Sequence, residues 1–253
     1  MSWFELPWQV IGWIILVSML AGYVQGLLGI GYPMLATPLL ALAIDLQTAM
    51  VVTVPAAILL STYLVVRGGN VRASVGRFWY MPLCMVGGAL VGAKIFFAVD
   101  ASWLLLALAA VLLLYVSLDW LGRAHYPQLI RWMHPLAVAC AFAAGVSEAS
   151  VNVSGPFLLI WCLLMSLAPV TLIQVLNLCF LAGKMTQLIA LTAGGVAVSA
   201  WFGAVPLTLA AVLPFVFGIR MREGANVTTY RLWLRMFLGL MAVLLVLRFL
   251  HEA

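Results

Sequence analysis

The chain has 253 residues, 66% of them hydrophobic and only 8% charged, with a mean hydropathy of +1.20. Polar residues that scarce could not cover the surface of a soluble domain, so the composition specifies an integral membrane protein. The formal charge of +5 gathers in a few loops and reports membrane orientation; no basic patch interleaved with aromatics points to nucleic acid.

The start, Met1-Ser2-Trp3-Phe4-Glu5, has no basic region ahead of its apolar run and does not read as a cleaved signal peptide. Trp3, Trp8 and Trp13 suit the interface anchors of a first membrane segment. That segment, about 8–44, is interrupted at Gly26-Leu27-Leu28-Gly29-Ile30-Gly31-Tyr32-Pro33. Full spans are predicted at about 48–66, 78–98 and 102–120, each near the roughly 20 residues that cross the hydrocarbon core. A polar linker covers 121–134. A second long region, 135–168, is interrupted at Ser147-Glu148-Ala149-Ser150-Val151-Asn152-Val153-Ser154-Gly155-Pro156, and spans at about 171–193, 198–219 and 232–250 follow. The runs are continuous, which fits helices and not the alternation of barrel strands.

This order reads as a duplication, with repeats at 1–120 and 135–253. Pro82 with Gly92-Ala93-Lys94 answers to Pro206 with Gly218-Ile219-Arg220, and Gly68-Gly69 to Gly194-Gly195. Arginines cluster at Arg67, Arg72 and Arg77, at Arg123 and Arg131, and at Arg220, Arg222, Arg231 and Arg235. The positive-inside rule sets these three loops in the cytoplasm and the loops near Asp45, Asp100 and Gly194-Gly195 outside. Between Arg131 and Arg220 the number of crossings must then be even. Two full spans lie there, so the broken region should enter and return on one side as a hairpin of half-helices. The expected fold is therefore all-α, with two inverted repeats, each a reentrant half-helix pair followed by three transmembrane helices, and the N-terminus outside; a single unwound crossing per broken region, which would give parallel repeats, is the alternative.

Irregular backbone at membrane depth persists only where protein buries it or a wet cavity receives it, and paired interruptions in two repeats point to a transporter's substrate site. Pro33 and Pro156 stand where a second half-helix would begin. Such N-termini present free N–H groups and favour an anion. Gly29 and Gly31 allow close backbone approach, Gly155 continues the second break, and Asn152 and Ser154 add side-chain donors. Tight packing of small residues, as at Gly22/Gly26 and Gly88/Gly92, is the competing explanation for the glycines. Tyr23, Tyr32 and Gln25 flank the first break, where Tyr32 is a further candidate for the wall and aromatic packing its alternative.

Two ionisable residues lie deep in the apolar segments, where charge is expensive and normally functional: Lys184 and Glu148. Asn177, Lys184 and Gln187 share one helical face and would donate to an oxyanion; Gln174 lies on the same span. Glu148 suits a proton-coupling role, since burial favours its neutral form. A structural Lys184–Glu148 pair without ligand is the alternative. Lys94 is expected to snorkel. Cys84, Cys140, Cys162 and Cys179 lack metal-site or redox spacing and read as small buried hydrophobes. His125, His134 and His251 lie at or near loops, no catalytic or metal-binding constellation is visible, and no cofactor is implied. Asn226-Val227-Thr228 fits a glycosylation pattern but falls in a loop assigned to the cytoplasm.

Gly26-x-x-Gly29-x-Gly31 followed by Pro33 and Pro38, with the second small-polar break ending in Ser154-Gly155-Pro156, resembles the sulfite exporter TauE/SafE family over essentially the whole chain. The resemblance implies a multi-pass permease of the bacterial inner membrane for small sulfur-containing anions such as sulfite or organosulfonates. The residues alone lead to a carrier for a small anion. A passive anion channel, or a carrier that uses Glu148 for a cation or neutral solute, are the alternatives, and the oligomeric state is not set by the sequence.

Overall fold

The computed structural model describes residues 7–68, 71–122, 133–165, 167, 169–222 and, near the C-terminus, 236, 239, 242–247 and 250. Eleven helices follow one another among the described residues: α1 (Trp8–Leu28), α2 (Tyr32–Ala41), α3 (Leu46–Arg67), α4 (Val71–Phe78), α5 (Tyr80–Ala98), α6 (Ala101–Gly122), α7 (Met133–Val151), α8 (Gly155–Leu164), α9 (Pro169–Ala193), α10 (Val198–Gly203) and α11 (Val205–Met221). Six of the helical stretches are long and apolar enough to cross a membrane: Trp8–Leu28, Leu46–Arg67, Tyr80–Ala98, His134–Val151, Val170–Ala193 and Ala200–Met221. In hydrocarbon the backbone must satisfy itself, which is why the apolar runs take this form. The chain is a multi-pass membrane protein.

The predicted spans 48–66, 78–98, 102–120 and 171–193 appear as α3, α5, α6 and α9. The span expected at 198–219 is divided at Ala204 into α10 and α11, and the one expected at 232–250 falls largely outside the described residues, as does most of the linker. The broken regions differ from a pair of half-helices. Their first arms, α1 and α7, have 21 and 19 residues, enough to span, whereas the second arms α2 and α8 have 10 each. The breaks therefore sit toward the ends of long helices, not in the middle of the apolar regions.

Close contacts give the helix directions. Gly22 of α1 abuts the backbone of Ala211, and Gly26 abuts Phe215 and Ile219, so α1 and α11 run the same way. Gly88 abuts the backbone of Phe142 and Gly92 that of Val146, so α5 and α7 are likewise parallel. Such small residues let backbones approach in lipid, where dispersion and not hydrophobicity joins helices. α3 and α9 are antiparallel: Gln174 Nε2 donates to Val65 O at 3.5 Å near one end, whereas nearer the other end Asn152 links Thr53 to Lys184.

The same contacts define two ends of the bundle. At one, Gln47 Nε2 donates to Phe96 O (3.2 Å) and Trp13 Nε1 to Leu39 O (3.0 Å). At the other, Tyr80 packs on His134 with ring centroids 5.6 Å apart, and Arg222 Nη2 and Nε donate to Gly26 O (2.5 Å) and Leu27 O (3.2 Å), capping the carbonyl end of α1 from α11. Two elements also recur at one spacing. α8 begins at residue 155 where α2 begins at 32, and α9 at 169 where α3 begins at 46, a shift of 123 in each case.

Candidate functional site

Each break is closed by its own polar side chains. α1 ends at Gly29, whose φ of 79° is the left-handed conformation of a helix C-cap, with its N–H on Gln25 O at 2.8 Å. Gln25 Oε1 accepts from Tyr32 N at 2.8 Å, spanning the break to the start of α2. The carbonyl of Gly29, left without a helical partner, accepts from Asn177 Nδ2 at 2.7 Å. Asn177 Oδ1 accepts in turn from Gln25 Nε2 at 3.3 Å.

The second break repeats this design with different groups. Asn152 takes the C-cap place with φ 67°, the one positive φ at a non-glycine among the described residues, and its N–H bonds Glu148 O at 3.0 Å. Ser147 Oγ donates to Val153 O at 2.5 Å, and Ser154 Oγ donates to Glu148 Oε2. Asn152 Nδ2 donates to Thr37 Oγ1 (2.6 Å) and Thr53 Oγ1 (2.7 Å), tying the break to α2 and α3.

Lys184 reaches this second break from α9. Its Nζ lies 2.6 Å from Glu148 Oε1 and donates to Gln187 Oε1 at 2.9 Å and to Asn152 Oδ1. Lysine and glutamate are each 1% exposed. The ammonium thus donates to two amide oxygens and is ion-paired with the carboxylate, whose Oε1 accepts no hydrogen bond. Gln187 Nε2 is buried without a hydrogen-bond partner. The pair forms part of the wall of a small cavity of about 20 Å³, room for about one water molecule, which also receives Gly31 from the first break and Ser154 and Gly155 from the second. Among the described residues, Lys184 and Glu148 are its charged groups. The site thus combines a charged pair, two helix starts and an apolar remainder.

The sequence model of the sulfite exporter TauE/SafE family matches residues 14–247. The chain belongs to this family. Searches of curated proteins and of solved structures give no match. Membership in the TauE/SafE family makes the chain a membrane transporter of the exporter or permease type.

Within this TauE/SafE chain, the residues singled out from sequence separate into two groups. Gly31, Glu148, Ser154, Gly155 and Lys184 line one cavity, and a Cβ at Gly155 would meet nothing within 4 Å. Asn152 and Gln187 stand behind that wall and hold Lys184. Asn177 does not join them: it latches the first break, two helical turns or about 10.5 Å along α9 from Lys184. Gly29 packs against Ile173. Tyr32 is fully buried with its hydroxyl 2.8 Å from Ser18 Oγ, a packing position with a satisfied hydroxyl. Thr37, Thr53 and Ser61 were not legible as site residues, because a threonine or serine in an apolar helix commonly bonds its own preceding turn, and Thr53 does that too, to Ala49 O at 3.0 Å.

Proposed function

We propose that the chain is a secondary permease for sulfite or a small organosulfonate, with Lys184 as the anion receptor and Glu148 as the proton carrier. The observation that carries this reading is the buried Lys184 ammonium, held by Glu148, Asn152 and Gln187 at the wall of a cavity that both breaks reach. The Glu148 carboxylate stands where an anion would stand. Protonation of Glu148 removes its charge, breaks its ion pair with Lys184 and releases the Ser154 hydroxyl, so an oxyanion can take the carboxylate's place. Gln187 Nε2, buried and unpartnered, is a further donor beside the lysine. Loss of the proton on the other side returns Glu148 to Lys184 and expels the anion.

The architecture we infer is a pair of inverted repeats in a bacterial inner membrane, with the N-terminus and the loops near Asp45 and Asp100 outside. The shared shift of 123, the antiparallel course of α3 and α9, and the cross-packing of α1 with α11 and α7 with α5 support it. The basic loops at the opposite end support the orientation.

Uptake of labelled sulfite into proteoliposomes, in wild type and Lys184→Ala, tests the reading. Saturable uptake in wild type that falls at least about tenfold in the variant is the expected result. Undiminished uptake and affinity in Lys184→Ala overturns the site.

A further inference from the structure

At the shift of 123, Gln25 corresponds to Glu148, Gly31 to Ser154 and Ser61 to Lys184, and all six line the same cavity. The correspondence extends to bonding. Gln25 reaches across its break to Tyr32 N as Glu148 reaches across its own to Ser154 Oγ. The cavity therefore has two matched walls of opposite character, one carrying an ion pair and the other only neutral groups.

We propose that the cavity accepts one singly charged oxyanion, held between Lys184 on the charged wall and Gln25 and Ser61 on the neutral one, and that it rejects dianions. This rests on the permease reading above. With Glu148 ionised, the pair sums to zero. Once Glu148 is protonated one positive charge remains, and a monoanion restores neutrality. A dianion would leave a negative charge uncompensated in the membrane interior, because the position matching Lys184 holds a serine and no other charged group lines the cavity among the described residues. The neutral wall can still bind oxygen. The Gln25 amide carries two N–H donors, one of them on Asn177, and Ser61 carries a hydroxyl. Hydrogen sulfite and simple monosulfonates carry the accepted charge; sulfate, similar in shape, carries one too many. One anion and one proton then cross together, and the cycle moves no net charge.

The full chain in proteoliposomes tests this with labelled sulfite at a pH where hydrogen sulfite is present, and with the membrane potential set by potassium and valinomycin. Unlabelled sulfite is expected to abolish uptake, excess sulfate to leave it unchanged, and the potential to have no effect on its rate. Ser61→Lys supplies the missing second cation and is expected to raise the inhibitory potency of sulfate at least about tenfold. Sulfate competing as well as sulfite in wild type, or uptake that follows the potential, overturns the charge rule while leaving the permease reading intact. Absence of any sulfite uptake overturns the permease reading and this inference with it. The wild-type measurements decide alone if Ser61→Lys does not fold.

Discussion

Lys184 donates to Asn152 and Gln187 and is paired with Glu148, so its removal strands the carboxylate it neutralises. Breaking a buried pair from one side costs about 3–5 kcal/mol, whereas replacing both partners by neutral groups of similar volume costs far less. Lys184→Met is therefore expected to lower the unfolding temperature in detergent, and Glu148→Gln with Lys184→Met to recover most of the loss. Both variants should be inactive in sulfite uptake, which separates the stability of the pair from its use. Asn152 invites a second comparison, because its left-handed φ of 67° and its bonds to Thr37, Thr53 and Lys184 are independent contributions. Asn152→Gly keeps the backbone at ease and removes the bonds; Asn152→Ala removes the bonds and adds about 1–2 kcal/mol of backbone strain. Thermal unfolding should rank wild type above Gly and Gly above Ala. An equal loss in both would assign the whole effect to the side chain.

Between elements, the fold depends on two parallel helix pairs whose backbones meet at glycine. A Cβ at Gly26 would run into the Phe215 carbonyl, and one at Gly88 into the Phe142 carbonyl, neither of which can yield as a side chain could. Gly26→Ala and Gly88→Ala should each destabilise by about 1–3 kcal/mol, as overpacking does. Gly12→Ala on the same helix as Gly26, where nothing lies within 4 Å, should be neutral or stabilising in the same thermal assay. These contacts also mark how far the elements were legible beforehand. The breaks were plain, because Gly29-Ile30-Gly31-Tyr32-Pro33 and Asn152-Val153-Ser154-Gly155-Pro156 cannot continue a helix. Their depth was not, since an apolar arm of 21 residues and one of 10 look alike by composition. Helical periodicity correctly set Asn177, Lys184 and Gln187 on one face of α9. It gives no height along the axis relative to other helices, so Asn177 was grouped with a lysine two turns away when its partner is Gly29.

For the molecule as a whole, the inverted arrangement proposed above makes a demand that a parallel duplication does not. α5 and α11 start 80 and 205 residues into the chain and occupy matching places in their halves, each packed in parallel against the first helix of the other half. If the halves are inverted, these matching helices end on opposite sides of the membrane; if parallel, on the same side. Asp100 follows α5 and Arg220 closes α11, and both are exposed. Single cysteines at these positions, in a background lacking the four native ones, report the answer through a membrane-impermeant maleimide. Of the native four, Cys140, Cys162 and Cys179 are buried and Cys84 is partly exposed, so the removal of Cys84 matters most for a clean background. Asp100→Cys in intact cells should react directly and Arg220→Cys only after permeabilisation, in keeping with the arginines around residue 220. Reaction of both from one side would return the duplication to parallel. It would also remove the proposed pseudo-twofold relation between Ser61 and Lys184, and with it the reason for matching a charged wall to a neutral one.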